Sequence, residues 1–231
     1  LAEMVKAGTL PPVEERLPER PFVVGPGAII SEKDLPDWTP GQYGGTVRAA
    51  HAVANWAPDI FMASIENFFM APGIGIEGIR PNILDTYKVE NDNKDFTFTL
   101  RKGLKWSDGE PVTTEDIQFT YEDVMLNEDL TPVFPAKWRS AGNVDGEPMK
   151  LEIVDDFTFK VSFTESYGGL LRDMAIKGWN GYTDLMKPKH YLTQFHPKYT
   201  PEEELKPLME EMNLTDEWWN LFNAKDCTNW E

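Results

Sequence analysis

The sequence is poor in the residues that build disulfides, metal centres and membrane spans. It contains one cysteine, Cys227, and three histidines among 231 residues. A single cysteine excludes an intrachain disulfide and a zinc site with several cysteine ligands, and it leaves the redox compartment undetermined. No run of about 18 apolar residues occurs. We therefore expect neither a membrane-spanning helix nor a disulfide framework.

Positive charge is also scarce, because 22 Lys and Arg face 39 Asp and Glu, for a net charge of −17. This balance argues against nucleic acid or an anionic membrane as a direct partner. Hydrophobic residues make up 41% of the chain and aromatic residues 12%. These values are typical of a globular protein with one large core or two smaller ones.

Patterns for catalysis and for metal binding are missing. Three carboxylate pairs occur, and each has a structural explanation as a turn or a helix cap: Asp108 with Glu110, Glu115 with Asp116, and Asp155 with Asp156. The acidic run from Asp85 to Asp95 lacks the glycine and the final glutamate of a calcium loop. We expect a protein that is not an enzyme and uses no metal or cofactor.

The most informative stretch runs from Phe96 to Tyr121. Phe96, Phe98 and Leu100 alternate with polar residues and predict a half-buried strand. A turn at Lys102-Gly103, a second strand through Leu104 and Trp106, and another turn at 107–109 complete a predicted hairpin. Thr113 then predicts a helix cap, and acidic residues fill the first helical turn.

These residues carry a resemblance to a known family. The run Leu100-Arg101-Lys102-Gly103, continued by Trp106-Ser107-Asp108-Gly109-Glu110-Pro111-Val112-Thr113-Thr114-Glu115-Asp116 and Phe119-Thr120-Tyr121, resembles the family 5 extracellular solute-binding proteins of ABC importers. Three further segments are similar to motifs of the same family in the same order: Tyr43–Arg48, Pro81–Tyr87 and Lys187–Tyr191.

The resemblance implies a fold and a domain division. It implies a mixed α/β fold of the type II periplasmic-binding-protein class, present in part, with an accessory β-hairpin and helix domain. Independently of the resemblance, the prolines of residues 1–40 predict an extended lead segment, which the apolar residues at 22–24 and 28–30 would anchor. Residues 41–72 and 166–231 would belong to the first lobe, and residues 73–165 would form the accessory domain. The chain would then hold less than half of a two-lobed protein.

Further elements follow from local patterns. They are a strand at 46–50, a helix at 57–69, an irregular excursion at 127–146, a hairpin around Asp155-Asp156, a capping box at Thr200 to Glu203 and a helix from Glu217 to Phe222.

The implied function is capture of a peptide, an oligosaccharide or a metal chelate and its delivery to ABC permease subunits. The implied location is extracytoplasmic, either periplasmic or lipid-anchored at the cell surface, with a leader upstream of Leu1. Weak solute binding is expected of a chain that lacks the second lobe. The alternative is a secreted carbohydrate-binding module or glycoside hydrolase that uses exposed tryptophans.

Tryptophans supply the candidate ligand contacts. Indole combines a flat apolar face with a hydrogen-bond donor, which suits sugar rings and peptide side chains. Trp106, Trp218 and Trp219 lie in amphipathic patterns that favour the core. The remaining candidates lie in irregular segments beside polar residues, where packing is the alternative role, and the resemblance favours stretches 51–58 and 177–183. The predicted ligand-binding residues are Asn55, Trp56, Trp138, Trp179 and Asn180.

Overall fold

The computed structural model describes residues 2–28, 30–35, 37–42, 44–46, 48, 66–70, 78–175, 182–214 and 217–226. The chain begins with two short helices, α1 (Ala2–Lys6) and α2 (Val13–Arg16). Strands β1 (Phe69–Met70) and β2 (Arg80–Pro81) then form a two-stranded antiparallel sheet. Because Phe69 pairs with Pro81 as a strand residue, the helix predicted for 57–69 does not reach its expected end. Residues 57–65 lie outside the described ranges.

The main sheet contains β3 (Leu84–Glu90), β4 (Asp95–Leu100), β5 (Lys150–Ile153) and β6 (Thr158–Ser162). Its strand order is β3-β4-β6-β5, and every pairing is antiparallel. Phe98 of β4 faces Tyr87 on one side and Phe159 on the other. The buried alternation predicted for β4 is confirmed, and so is the hairpin around Asp155-Asp156.

Helix α3 (Thr114–Phe119) begins with the predicted cap. Thr113 accepts from the Glu115 amide, and the Asp116 carboxylate accepts from the Thr113 amide at 3.0 Å. The chain then continues as a π-helical turn, Thr120–Met125, which the sequence analysis did not predict. Ile117 and Phe119 are two residues apart on α3 and so lie on opposite faces of the helix, and they enter different hydrophobic cores.

The remaining helices are short and follow the sheet. They are α4 (Leu170–Asp173), α5 (Lys189–Leu192), α6 (Glu202–Glu211) and α7 (Trp218–Lys225). Single 3-10 turns occur at Glu32–Asp34, Ala136–Trp138, Ser140–Gly142, Tyr182–Leu185 and Thr193–Phe195. The predicted irregular excursion over 127–146 and the predicted helix at 217–222 are confirmed.

Two hydrophobic cores organise the described part of the chain. The larger core packs both sheets against Ile117, Trp138, Leu170 and Leu185. The smaller core joins Phe119 and Val124 to buried residues of α5, α6 and α7. Helix α3 and its π-helical extension contribute to both, so they connect the sheet to the C-terminal helices.

Three local predictions are wrong for identifiable reasons. Leu104 and Trp106 do not form a strand, because β4 takes β3 and β6 as its neighbours; a single bridge joins Lys105 to Pro111. Thr200 does not cap α6, since its hydroxyl donates to the Thr193 carbonyl at 3.1 Å. Of the anchor predicted at 22–24, Val23 and Val24 are 74% and 66% exposed, and Phe22 alone is partly buried.

The strand predicted for 46–50 falls mainly outside the described ranges. Thr46 and Arg48, which the structure describes, lie outside any strand.

Candidate functional site

One of the five predicted ligand residues lies within the described part of the chain. Asn55, Trp56, Trp179 and Asn180 fall outside the described residues, so their predicted role is untested. Trp138 ends the 3-10 turn Ala136–Trp138, is completely buried in the larger core, and accepts the Met149 amide on its carbonyl at 2.8 Å. Its role in ligand binding stays a prediction, and its observed role is packing.

Trp138 is joined to the return segment of the chain through Asp184. The indole Nε1 donates to Asp184 Oδ1 at 3.4 Å, and Lys137 Nζ lies 2.7 Å from Asp184 Oδ2. Asp184 follows closely after the predicted ligand stretch 177–183. The structure therefore brings Trp138 against the residue that leads out of that stretch.

The return segment after Asp184 is fixed to several elements. The Lys187 amide donates to Thr120 Oγ1 at 2.9 Å, and the Lys189 amide donates to Asp116 Oδ1 at 3.0 Å. His190 Nε2 lies 2.7 Å from Asp108 Oδ2, and this hydrogen bond is the main cause that lowers the pKa of Asp108. These contacts hold residues 184–190 firmly against the signature turn and α3.

Asp116 links these segments, and the sequence analysis recognised only part of its role. Its carboxylate accepts from the Thr113 amide, from Trp106 Nε1 at 3.2 Å and from the Lys189 amide, while its side chain is buried. The capping pattern revealed the first bond. The other two join residues that are distant in sequence, and no local signal identifies them.

A second polar cluster surrounds Asp123, whose carboxylate accepts from Lys198 Nζ and from the Tyr199 hydroxyl. The Lys198 amide donates to His196 Nδ1 at 3.1 Å, so Nε2 carries the proton and donates to the Asp123 carbonyl at 3.2 Å. Burial lowers the pKa of His196. The pKa of Lys198 is raised by its bond to Asp123, and burial raises the pKa of Tyr199. A raised pKa disfavours the deprotonated form, so neither Lys198 nor Tyr199 is activated as a nucleophile.

A third polar group joins the N-terminal segment to the main sheet. Arg101 donates from Nε to the Asn82 carbonyl at 2.9 Å and from Nη1 to the Arg20 carbonyl, while Arg20 pairs with Asp85. Burial, and then the nearby charge of Arg20, lower the pKa of Arg101. This group, together with Pro18 against Gly103, holds the N-terminal segment to the main sheet.

The carboxylate pairs that could resemble a catalytic site serve local structure. Asp108 Oδ1 accepts from the Glu110 amide at 3.1 Å, and Asp155 Oδ1 accepts from the Phe157 amide at 2.8 Å. Within the described ranges, no group of three or more His, Cys, Asp or Glu side chains could hold a metal ion. No helix in those ranges is both long enough and apolar enough to cross a membrane.

The fold and the sequence together define the class. The mixed α/β arrangement is that of type II periplasmic binding proteins, as its superposition on solved members of that class shows. Residues 78–221 match the model of the bacterial extracellular solute-binding proteins, family 5 Middle. The chain belongs to this family of solute-binding proteins, and the resemblance noted from the signature run is confirmed.

Similar proteins bind more than one kind of solute. The chain is 29% identical over 214 residues to a periplasmic alpha-galactoside-binding protein of Rhizobium meliloti, and it covers 29% of that protein. The match includes 85% of this chain. The chain therefore spans less than a third of the length of this relative.

Two solved structures superpose on nearly the whole chain. An oligopeptide-binding protein OppA is 33% identical with a TM-score of 0.70, and the match covers 96% of this chain and 31% of OppA. The periplasmic binding protein MelB of Agrobacterium fabrum C58, in complex with stachyose, is 26% identical with a TM-score of 0.66. That match covers 97% of this chain and 31% of MelB.

Proposed function

We propose that this chain is part of the solute-binding component of an ABC import system. The observation that carries the proposal is the family match over residues 78–221, which contains the signature turn, α3 and the return segment. Such a component captures its solute outside the cytoplasm and presents it to permease subunits. The location, periplasmic or lipid-anchored at the surface, and the permease partner belong to this proposal.

The proposed solute is a small peptide or an oligosaccharide. Support comes from the two structural relatives, since one is named for oligopeptides and the other was solved with stachyose. The predicted contacts Trp56, Trp179, Asn55 and Asn180 suit either class, because an indole face packs against a sugar ring or an apolar side chain and an amide bonds hydroxyl or peptide groups.

We also propose the domain division predicted from the sequence. Residues 73–165 form an accessory domain, and residues 41–72 with 166–231 contribute to the first lobe. The continuous main sheet within 84–162 supports the first part. The larger core also includes Phe68 and Leu185, so the two proposed units share buried contacts.

Catalysis is not part of the proposed function. The matched family and the relatives are binding proteins. In the described part of the chain, Trp106, Trp138 and Trp218 pack against the two cores, which does not favour an exposed tryptophan row. The carboxylate pairs serve turns and caps. These observations support the role of a solute-binding component of an ABC importer over that of a carbohydrate-binding module or a glycoside hydrolase.

The test is thermal unfolding of the full natural protein that contains this chain, against a panel of di- to oligopeptides and a panel of galactosides that includes stachyose. A ligand at 100 times its dissociation constant stabilises the folded state by about 2.7 kcal/mol, which gives a measurable rise in Tm. A rise with one panel supports the proposal and identifies the solute class. No rise with either panel contradicts the proposed solutes, and hydrolysis of a galactoside contradicts the binding-only role.

A further inference from the structure

A cavity of about 140 Å³ lies between the N-terminal segment and the ends of β3 and β4. It is separate in sequence from the predicted ligand stretches 51–58 and 177–183. Residues that line it include Arg20, Asp85, Thr86, Thr99 and Arg101. A cavity of this size has room for several waters or for one small polyatomic ion.

The charges around the cavity are not balanced by the pairs that form there. The Arg101 side chain is 9% exposed, and most of its hydrogen bonds go to carbonyl groups, including Asn82 at 2.9 Å and Leu84 at 3.3 Å. Carbonyl oxygens satisfy the donors but supply no negative charge. Asp85 is the carboxylate that pairs with Arg101, at 3.4 Å, and the same carboxylate also pairs with Arg20. Glu19 and Lys102 also line the cavity, so the cations Arg20, Arg101 and Lys102 outnumber the carboxylates Asp85 and Glu19.

Unused donors also line the cavity. Thr86 and Thr99 are paired across β3 and β4, and neither hydroxyl makes a hydrogen bond within the described part of the chain. The Arg20 side chain is 72% exposed and uses one nitrogen for Asp85, which leaves further N–H groups for a ligand. Guanidinium and hydroxyl donors together are the groups that bind oxyanions in proteins.

We propose that this cavity binds a small oxyanion of the phosphate, sulfate or carboxylate type. The anion accepts hydrogen bonds from Arg20 and from the Thr86 and Thr99 hydroxyls, and it adds negative charge to a lining in which cations outnumber carboxylates. Because Arg20 belongs to the N-terminal segment and the threonines belong to the sheet, the bound anion also joins these two parts. The site does not depend on the proposed solute function.

The test is isothermal titration of the full natural protein with sodium phosphate, sodium sulfate and sodium acetate at ionic strength held constant with sodium chloride. We expect saturable binding of at least one anion to the wild type. Arg20→Gln and Thr99→Val should weaken that binding at least tenfold. Thr97→Val is the matched control, because Thr97 lies on the same strand and outside the cavity, and it should bind like the wild type.

The three anions distinguish the ligand chemistry. Binding of phosphate or sulfate without acetate identifies a tetrahedral oxyanion, and binding of acetate identifies a carboxylate. Absence of saturable binding for all three overturns the proposal, as does equal affinity in Thr99→Val and wild type. Circular dichroism of each variant confirms that the fold is retained, and unchanged solute binding in Arg20→Gln shows that this site is independent of the solute cleft.

Discussion

At the scale of single residues, Asp116 is a buried side chain that joins the signature turn, the start of α3 and the return segment. Its carboxylate receives an indole N–H and two backbone amides, while the side chain is buried. Removal leaves these donors without their partner in a site closed to water, and each unsatisfied buried donor costs about 1–3 kcal/mol.

We therefore expect Asp116→Ala to lower the free energy of unfolding by about 2–4 kcal/mol, measured by urea denaturation. The matched control is Glu115→Ala, because Glu115 is exposed and its ion pair with Lys189 is worth about 0–1 kcal/mol. Similar losses in the two variants would contradict the central role of Asp116.

His196 makes the stability depend on pH. In the folded state, burial lowers the pKa of His196 below its ordinary value of 6.5. The unfolded chain therefore binds this proton at a higher pH than the folded chain does. The stability associated with neutral His196 is complete above pH 6.5 and is lost as the pH falls below that value. We expect Tm to decline from about pH 7 to pH 5 in the wild type and to decline less in His196→Gln.

His190 gives the control for this pH dependence. His190→Gln removes an exposed imidazole and should keep the decline that His196 causes. An unchanged slope in His196→Gln, measured by thermal unfolding across the same range, would show that another group controls the pH dependence.

At the scale of elements, the turn after β4 has a glycine that two constraints require. Gly103 has φ +83°, and a Cβ there would lie 3.2 Å from Pro18 Cα in the N-terminal segment. Gly109 has φ +100° with no atom within 4 Å of its Cβ position. Comparing alanine substitutions at these two glycines therefore distinguishes the effect of backbone strain from the effect of a collision with the N-terminal segment.

We expect Gly103→Ala and Gly109→Ala both to lose about 1 kcal/mol of stability through the strained φ, and Gly103→Ala to lose more. Only Gly103→Ala should increase hydrogen exchange of the Glu19 amide, which donates to the Lys102 carbonyl at 3.0 Å. Equal exchange in the two variants would mean that the N-terminal segment does not depend on this contact.

The π-helical turn after α3 also has a testable role. Thr120 Oγ1 donates to the Asp116 carbonyl at 2.7 Å and accepts the Lys187 amide at 2.9 Å, so it joins α3 to the return segment. Thr120→Val keeps the shape and removes both bonds. We expect a loss of about 1–3 kcal/mol and faster exchange of the Lys187 amide.

Thr131→Val is the control for this element. Its hydroxyl donates locally to the Val124 carbonyl at 2.8 Å and is not bonded to the return segment. The Lys187 amide should exchange at the wild-type rate in this variant. If the Lys187 amide exchanged at the wild-type rate in Thr120→Val, the proposed connection between α3 and the return segment would be contradicted.

At the scale of the whole molecule, the two cores should open together. Ile117 and Phe119 are two residues apart on α3 and enter different cores, so loss of one core removes the support of the other. We expect Phe98→Ala, which costs about 3–5 kcal/mol, and Leu221→Ala, which costs about 2–5 kcal/mol, each to increase hydrogen exchange in both β4 and α7. An increase confined to the mutated core would show that the cores unfold separately.

Local chemistry in the sequence predicted the elements whose contacts are close in sequence. The alternation in β4 and β6 and the cap at Thr113 are properties of neighbouring residues, because side chains alternate along a strand and a cap bonds amides two or three residues ahead. The family resemblance also came from short local motifs, the main one between Leu100 and Tyr121. The same reasoning failed at Thr200, where a capping pattern met a competing carbonyl from Thr193.

Only the tertiary structure decided which distant groups meet. Lys189 with Asp116, Lys198 with Asp123 and Arg101 with Arg20 are separated by 73, 75 and 81 residues. Their pairing depends on how the sheet, α3 and the return segment pack, and residue spacing carries no record of that packing. For the same reason Trp138, predicted from its polar neighbours to contact a ligand, was found packed in the larger core beside Asp184.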